Sequence, residues 1–242
     1  MAVSDLVRKV SVRGAKCSVV IVAAGSAKRM QGVDKILAEL CGEPLIVHTI
    51  RAFEAVDEVQ EIIVVTRADL REQLSELCVK HHLSKVKTIC KGGQTRAESV
   101  QSGLDHVSSK CGLVAIHDGA RPLVTGKVIH DAIRKAAKFG AAAPAVPVRD
   151  TIKVVGGGIV EETPERSRLY AVQTPQVFDL ATYRAALDRA IGEKRELTDD
   201  CSAAEAFGMN VVITEGSEEN LKVTTPLDLV LAEAILRARV SP

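Results

Sequence analysis

The sequence has no tryptophan, and aromatics make up only 2% of it. Stacking platforms for single-stranded nucleic acid need aromatic faces, so that class of function is disfavoured. An excess of one charge is missing too: the net charge is +1, from 32 Lys and Arg against 31 Asp and Glu. No nucleic-acid partner is therefore expected, and any anion site must be local. No apolar run has the length of a membrane span, so no membrane partner is expected. The first sixteen residues are basic and polar and lack the apolar stretch of a secretory signal. Residues 1–16 read as a disordered lead-in to a domain over 17–242. The six cysteines, Cys17, Cys41, Cys78, Cys90, Cys111 and Cys201, never form C-x-x-C, which argues against a zinc site or a redox dithiol. Cys17, Cys90 and Cys111 sit beside apolar runs and read as small core residues. Dispersed thiols without a signal peptide imply a cytoplasmic protein. Cys78 with His81 and His82 comes nearest to a metal triplet, but histidines after a helix are ordinarily surface residues. No protein-built metal site is expected. Neither G-x-x-x-x-G-K-[ST] nor G-x-G-x-x-G occurs in the glycine-bearing loop described next.

What is present is 242 residues with 46% hydrophobic content, enough for one large α/β domain. Its centre is SVVIVAAGSAKRMQGVDK, residues 18–35. The apolar run Val19 to Ala24 has no alternation, as in a strand buried on both faces. Gly25 ends it, and a loop with Lys28, Arg29 and Lys35 follows. Peptide N–H groups and cations in such a loop suit phosphate oxygens.

Strand and helix patterns then alternate. Ile46, Ile50 and Phe53 give a helix over 44–55, with Pro44 in its first turn. Strands are expected at 61–66, 86–90 and 113–117, and helices at 68–80, 95–107 and 125–139. Residues 141–148 read as extended, with prolines that argue against a fully paired central strand. Short connections in this order predict a doubly wound, mostly parallel Rossmann-like sheet, with its polar loops converging on one edge. Residues 149–175 break the alternation. Two β-rich pieces flank the glycine turn at 156–158, which predicts a hairpin too small to bury itself. It reads as an arm that packs on a second subunit. A helix over 179–190, a helix capped by Thr198-Asp199-Asp200, a strand at 210–214 and a last helix opening at Thr225-Pro226 complete the chain.

Seven segments stand together in order: AAGSAKRM (23–30), GGQTRAESV (92–100), HDGARP (117–122), PVRDTIK (147–153), QTPQVF (173–178), TDD (198–200) and LKVT (221–224). Over roughly residues 17–239 the chain resembles the sugar-alcohol-phosphate cytidylyltransferases, and within them the 2-C-methyl-D-erythritol 4-phosphate cytidylyltransferase family. The resemblance implies a nucleotidyltransferase fold and transfer of CMP from CTP to methylerythritol phosphate with release of pyrophosphate. It also implies Mg²⁺, bound mainly through the CTP phosphates, and a homodimer joined through the β-arm. A phosphate nucleophile is already ionised at neutral pH, so no general base is required. Catalysis then rests on charge neutralisation and in-line positioning.

The resemblance implies catalytic roles for Arg29, Lys35 and Lys222. It places Ala23, Ala24, Gly25, Gly93, Gln94, Ser99 and Asp118 at the nucleotide, with Asp118 on the ribose or metal side. It places Arg121, Thr151, Arg166 and Thr174 at the methylerythritol phosphate, with Thr151 and Arg166 serving the neighbouring subunit's site. Three positions depart from the family's pattern: Ala27 stands for a second glycine, Asp34 for a proline and Gln94 for an acid. Two other readings stay open from the residues: the same chemistry on ribitol 5-phosphate, and a non-catalytic nucleotide-binding protein on this fold.

Overall fold

The computed structural model describes residues 15–25 and 34–240. Lys28 and Arg29, with Ala27, lie outside the described residues. Chain order runs β1 (Cys17–Val22), β2 (Glu39–Leu40), β3 (Glu43–Pro44), α1 (Leu45–Glu54), β4 (Val59–Thr66), α2 (Arg71–Lys80), β5 (Val86–Lys91) and α3 (Arg96–Leu104). It continues with β6 (Leu113–Asp118), α4 (Gly126–Phe139), β7 (Ala141–Pro147), β8 (Val154–Gly156), β9 (Ile159–Glu162), β10 (Tyr170–Val172) and β11 (Gln176–Asp179). The last elements are α5 (Leu180–Gly192), α6 (Asp200–Ala206), β12 (Val212–Glu215) and α7 (Pro226–Val240).

Among the described residues, eight strands form one sheet in the order β10-β7-β11-β6-β1-β4-β5, with β12 on β7. β1 lies between β4 and β6, parallel to both. The absence of alternation in β1 has a direct cause. Val19 and Ile21 pack under α1 and α4, while Val20 packs under α3 and α5. A strand that feeds two helical layers has no polar face to show. β10 and β11 run antiparallel to their neighbours, so the sheet is mixed at one end.

Several boundaries differ from expectation for local reasons. Residues 68–70 form a 3-10 turn before α2. Pro44 precedes α1 rather than opening it. α3 ends at Leu104 because His106 and Val107 turn back onto the carbonyls of Gly103 and Leu104. Asp199, not Thr198, caps α6 through its side chain. The largest difference is β7, which is paired on both edges despite its prolines. At one edge β11 pairs with residues 141–142 and β10 with 145–147, and the ladder is interrupted between them. Pro144 falls in that gap, where its missing N–H costs no bond and its carbonyl accepts the Gln173 N–H at 2.8 Å.

Residues 154–162 form the expected hairpin. Gly157 and Gly158 both have positive φ, +57° and +83°, the backbone of a type I′ turn. Its apolar side chains Val155, Ile159 and Val160 are more than half exposed. At the other end of the chain, Ala15 is buried and the Lys16 carbonyl accepts the Leu113 N–H. The packed body thus already includes residues 15 and 16.

Candidate active site

The carboxyl ends of β1, β4, β5 and β6 open on a cleft of about 560 Å³. Two close approaches draw its walls together. A side chain on Gly92 would strike Ala24 Cβ at 2.6 Å, and one on Gly119 would meet Ala23 Cβ at 3.0 Å. Glycine lets these loops touch, and the Gly119 N–H bonds the Val22 carbonyl at 2.9 Å.

Among the described residues lining the cleft, five are cationic: Lys35, Arg67, Lys91, Arg96 and Lys222. One is a carboxylate, Asp118. Asp118 ends β6, and its Oδ2 lies 3.0 Å from Lys222 Nζ and 3.5 Å from Arg121 Nε. Its Oδ1 lies 3.7 Å from Arg96 Nη2. Burial alone would raise its pKa, but Lys222, Arg96 and Arg121 outweigh that and hold it at about 2. Asp118 is therefore an anion at any physiological pH. Burial lowers the pKa of Arg121, whose Nη1 donates to the Asn220 carbonyl at 2.7 Å.

The loop after β5 is built by α3. Thr95 accepts the Glu98 N–H, and Glu98 Oε2 accepts the N–H groups of Thr95 and Gln94 at 3.1 and 2.6 Å. This capping box fixes Gly93 and Gln94 at the rim of the cleft. Ser99 lines the cleft but is nearly buried, and its hydroxyl donates to the Thr95 carbonyl at 2.9 Å. Asp34, at the end of the first loop, is not open to a ligand. Its Oδ2 pairs with Arg67 Nη1 at 2.5 Å.

Thr174 is buried beneath Asp118 rather than in the cleft lining. Its Oγ1 accepts the Asp118 N–H at 3.1 Å and stands 2.9 Å from His117 Nδ1. His117 Nε2 faces the Arg121 carbonyl at 3.3 Å. A carbonyl only accepts, so Nε2 carries the proton and Nδ1 accepts from the Thr174 hydroxyl. Burial pushes the His117 pKa down to about 3 and keeps the ring neutral, as this network requires. Asn220 closes the arrangement by donating to the Thr174 carbonyl at 3.0 Å.

The structure thus gathers Ala23, Ala24, Gly25, Lys35, Gly93, Gln94, Ser99, Asp118 and Lys222 around one cleft. Arg121 and Thr174 support Asp118 from below. Thr151 and Arg166 are exposed on the arm and do not line the cleft, and Arg166 Nη1 donates to the Arg149 carbonyl. Arg96, His117, Asn220, Asp200 and Tyr183 were not singled out from the sequence. Arg96 and Asp200 lay within GGQTRAESV and TDD, but their pairing joins segments 104 residues apart. Among the described residues, no group of three His, Cys, Asp or Glu has the arrangement to hold a metal ion.

The model of the 2-C-methyl-D-erythritol 4-phosphate cytidylyltransferase family (IspD) matches residues 17–238. A protein of that name from Halalkalibacterium halodurans is 49% identical over 220 residues, covering 90% of this chain and 96% of that one. Another, from Caldanaerobacter subterraneus subsp. tengcongensis, is 43% identical over 223 residues, covering 91% and 98%. Among solved structures, the 4-diphosphocytidyl-2C-methyl-D-erythritol synthase of Anaerococcus prevotii superposes with a TM-score of 0.83 at 29% identity, covering 93% of this chain and 99% of that one. The Thermus thermophilus 2-C-methyl-D-erythritol 4-phosphate cytidylyltransferase superposes with a TM-score of 0.76 at 31% identity, covering 92% and 99%.

Proposed function

The chain belongs to the 2-C-methyl-D-erythritol 4-phosphate cytidylyltransferase family, and from that premise we propose how its cleft carries out the reaction. The enzyme transfers CMP from CTP to methylerythritol phosphate, a step of non-mevalonate isoprenoid synthesis. A phosphate oxygen of the acceptor bonds to the α-phosphorus of CTP as the bond from that phosphorus to the bridging oxygen breaks, and pyrophosphate leaves. The obstacle is the meeting of two anions. The observation that supports this cleft as the place is its charge: among the described residues lining it, five cations and a single carboxylate.

Lys222 stands at the cleft with its ammonium on Asp118, ready to hold a phosphate oxygen beside that carboxylate. Lys35 lines the same cleft from the first loop. Together with Arg29, whose role rests on the resemblance, they neutralise charge that develops on the α-phosphorus and the leaving group. The backbone of Ala23 to Gly25 and of Gly93 and Gln94 borders the nucleotide, with Ser99 behind it. Asp118 takes the hydroxyls of the ribose side, and Arg121 and Thr174 hold Asp118 in place.

A cleft whose described lining holds one carboxylate, already ion-paired, fits Mg²⁺ carried by the triphosphate rather than by a protein cage. Bound in that way, the ion supplies further neutralisation of the phosphates. Residues 149–175 join two copies, and Thr151 and Arg166 complete the acceptor site of the partner. What supports this reading is the arm itself, whose apolar side chains stand exposed.

The test is pyrophosphate release by purified protein with CTP and Mg²⁺, with methylerythritol 4-phosphate and ribitol 5-phosphate in separate reactions. Turnover with the first is expected. Turnover with ribitol phosphate alone would keep the chemistry and overturn the acceptor.

A further inference from the structure

From a buried carboxylate behind the cleft, a chain of charges runs out to the cleft wall. Asp200 is 2% exposed, and both of its carboxylate oxygens are taken. The Tyr183 hydroxyl donates to Oδ1 at 2.6 Å, and Arg96 Nη2 donates to Oδ2 at 2.6 Å. The Tyr183 ring is itself stacked on Phe178 of β11, with centroids 4.3 Å apart. The same Arg96 nitrogen faces Asp118 Oδ1 at 3.7 Å. Asp118 is in turn held by Lys222 at 3.0 Å.

Local preference opposes this arrangement. Arg96 is the first residue of α3, where the helix dipole disfavours a cation. Burying the Asp200 carboxylate also carries a desolvation cost that an apolar residue of similar volume avoids. Where local rules are broken and one end of the broken element lines a cleft, a site role is the economical explanation. The two distances say which role. Arg96 is in full contact with Asp200 and stands off from Asp118.

We propose that Asp200, oriented by Tyr183, is a positioning residue for the transfer reaction: it holds Arg96 short of a full ion pair with Asp118. Asp118 then stays on Lys222, and the remaining guanidinium donors of Arg96 stay open to the anionic substrate. Without Asp200, Arg96 closes on Asp118 and draws it from Lys222. This rests on the cytidylyltransferase reading of the cleft.

The test compares wild type with Asp200→Asn and Tyr183→Phe, by steady-state pyrophosphate release and by thermal melting. Asn keeps the size and removes the charge, so kcat should fall roughly tenfold or more while KM for CTP changes less. Tyr183→Phe, which deletes one hydroxyl, should shift kcat in the same direction by a smaller factor and covers the case in which Asp200→Asn does not fold. A double variant, Arg96→Met with Asp200→Met, removes both charges of the pair. It should regain melting temperature relative to Asp200→Asn without regaining turnover. Wild-type kcat and KM in the folded single variants, or turnover that returns with stability in the double variant, would overturn the positioning role alone. A silent wild type would instead overturn the reaction that the role serves.

Discussion

His117 shows how one side chain ties the site to pH. Its ring is fully buried against Phe53, centroids 4.8 Å apart, and its two nitrogens are committed to the Arg121 carbonyl and the Thr174 hydroxyl. Asp118, Arg121 and Lys222 are the charges that face it; burial, aided by the Arg121 and Lys222 cations, outweighs Asp118 and the bond to the Arg121 carbonyl and lowers its pKa to about 3. An unfolded histidine takes up a proton near pH 6.5. Between those values the unfolded state binds more protons, so stability rises with pH across that window, by up to about 1.4 kcal/mol per pH unit. Asp118 acts lower down. Its folded pKa of about 2 lies below the unfolded value, so its contribution is lost as pH falls through that lower range. The two effects therefore separate. His117→Asn should flatten the dependence of melting temperature on pH between about 4 and 6.5, at some cost in stability at pH 7. An unchanged slope in that range would show that another group sets it.

At the scale of elements, the site depends on how α3 begins. The Thr95–Glu98 capping box satisfies helix-end donors and also fixes the N–H of Gln94. Stability and the proposed nucleotide contact thus share one device. Thr95→Ala should cost about 1 kcal/mol in urea denaturation and raise KM for CTP, since Gly93 and Gln94 lose their frame. A loss of stability with KM untouched would separate the cap from the nucleotide loop. β7 makes a similar point about strands. Pro144 is tolerated in a doubly paired strand because β11 and β10 divide one edge between them, leaving a gap at the residue with no N–H to offer.

At the scale of the molecule, the arm carries the proposal that two chains make each site. Ile152, Val154, Val155, Ile159 and Val160 are all exposed on it, and among the described residues β8 and β9 pair only with each other. A two-stranded ribbon with apolar residues on show is marginal in water by itself. Sedimentation should therefore give a dimer, and replacing 150–168 by a short linker should give a monomer that retains its melting temperature within a few degrees. Mixing Arg29→Ala with Arg166→Ala, each inactive alone, should restore activity once subunits have exchanged. No recovery after proven exchange would mean that each chain builds its own site.

The sequence by itself determined the alternation of strands and helices, the central place of β1, the hairpin and the family. Those follow from periodicity, turn glycines and ordered segments, all of which are local or linear signals. It also brought forward nine of the residues that meet in the cleft. Only the tertiary structure decided what those residues do to one another. The Arg96–Asp200 pair, the His117–Thr174 bond and the Arg121–Asn220 bond span 104, 57 and 99 residues. Nothing in the local sequence encodes such a meeting. The same holds for Thr174, whose hydroxyl is used by the backbone of Asp118, and for Asp34, whose charge is taken by Arg67. A polar side chain carries its chemistry in the sequence, but its partner is set by the crossing of strands and helices that pack for apolar reasons.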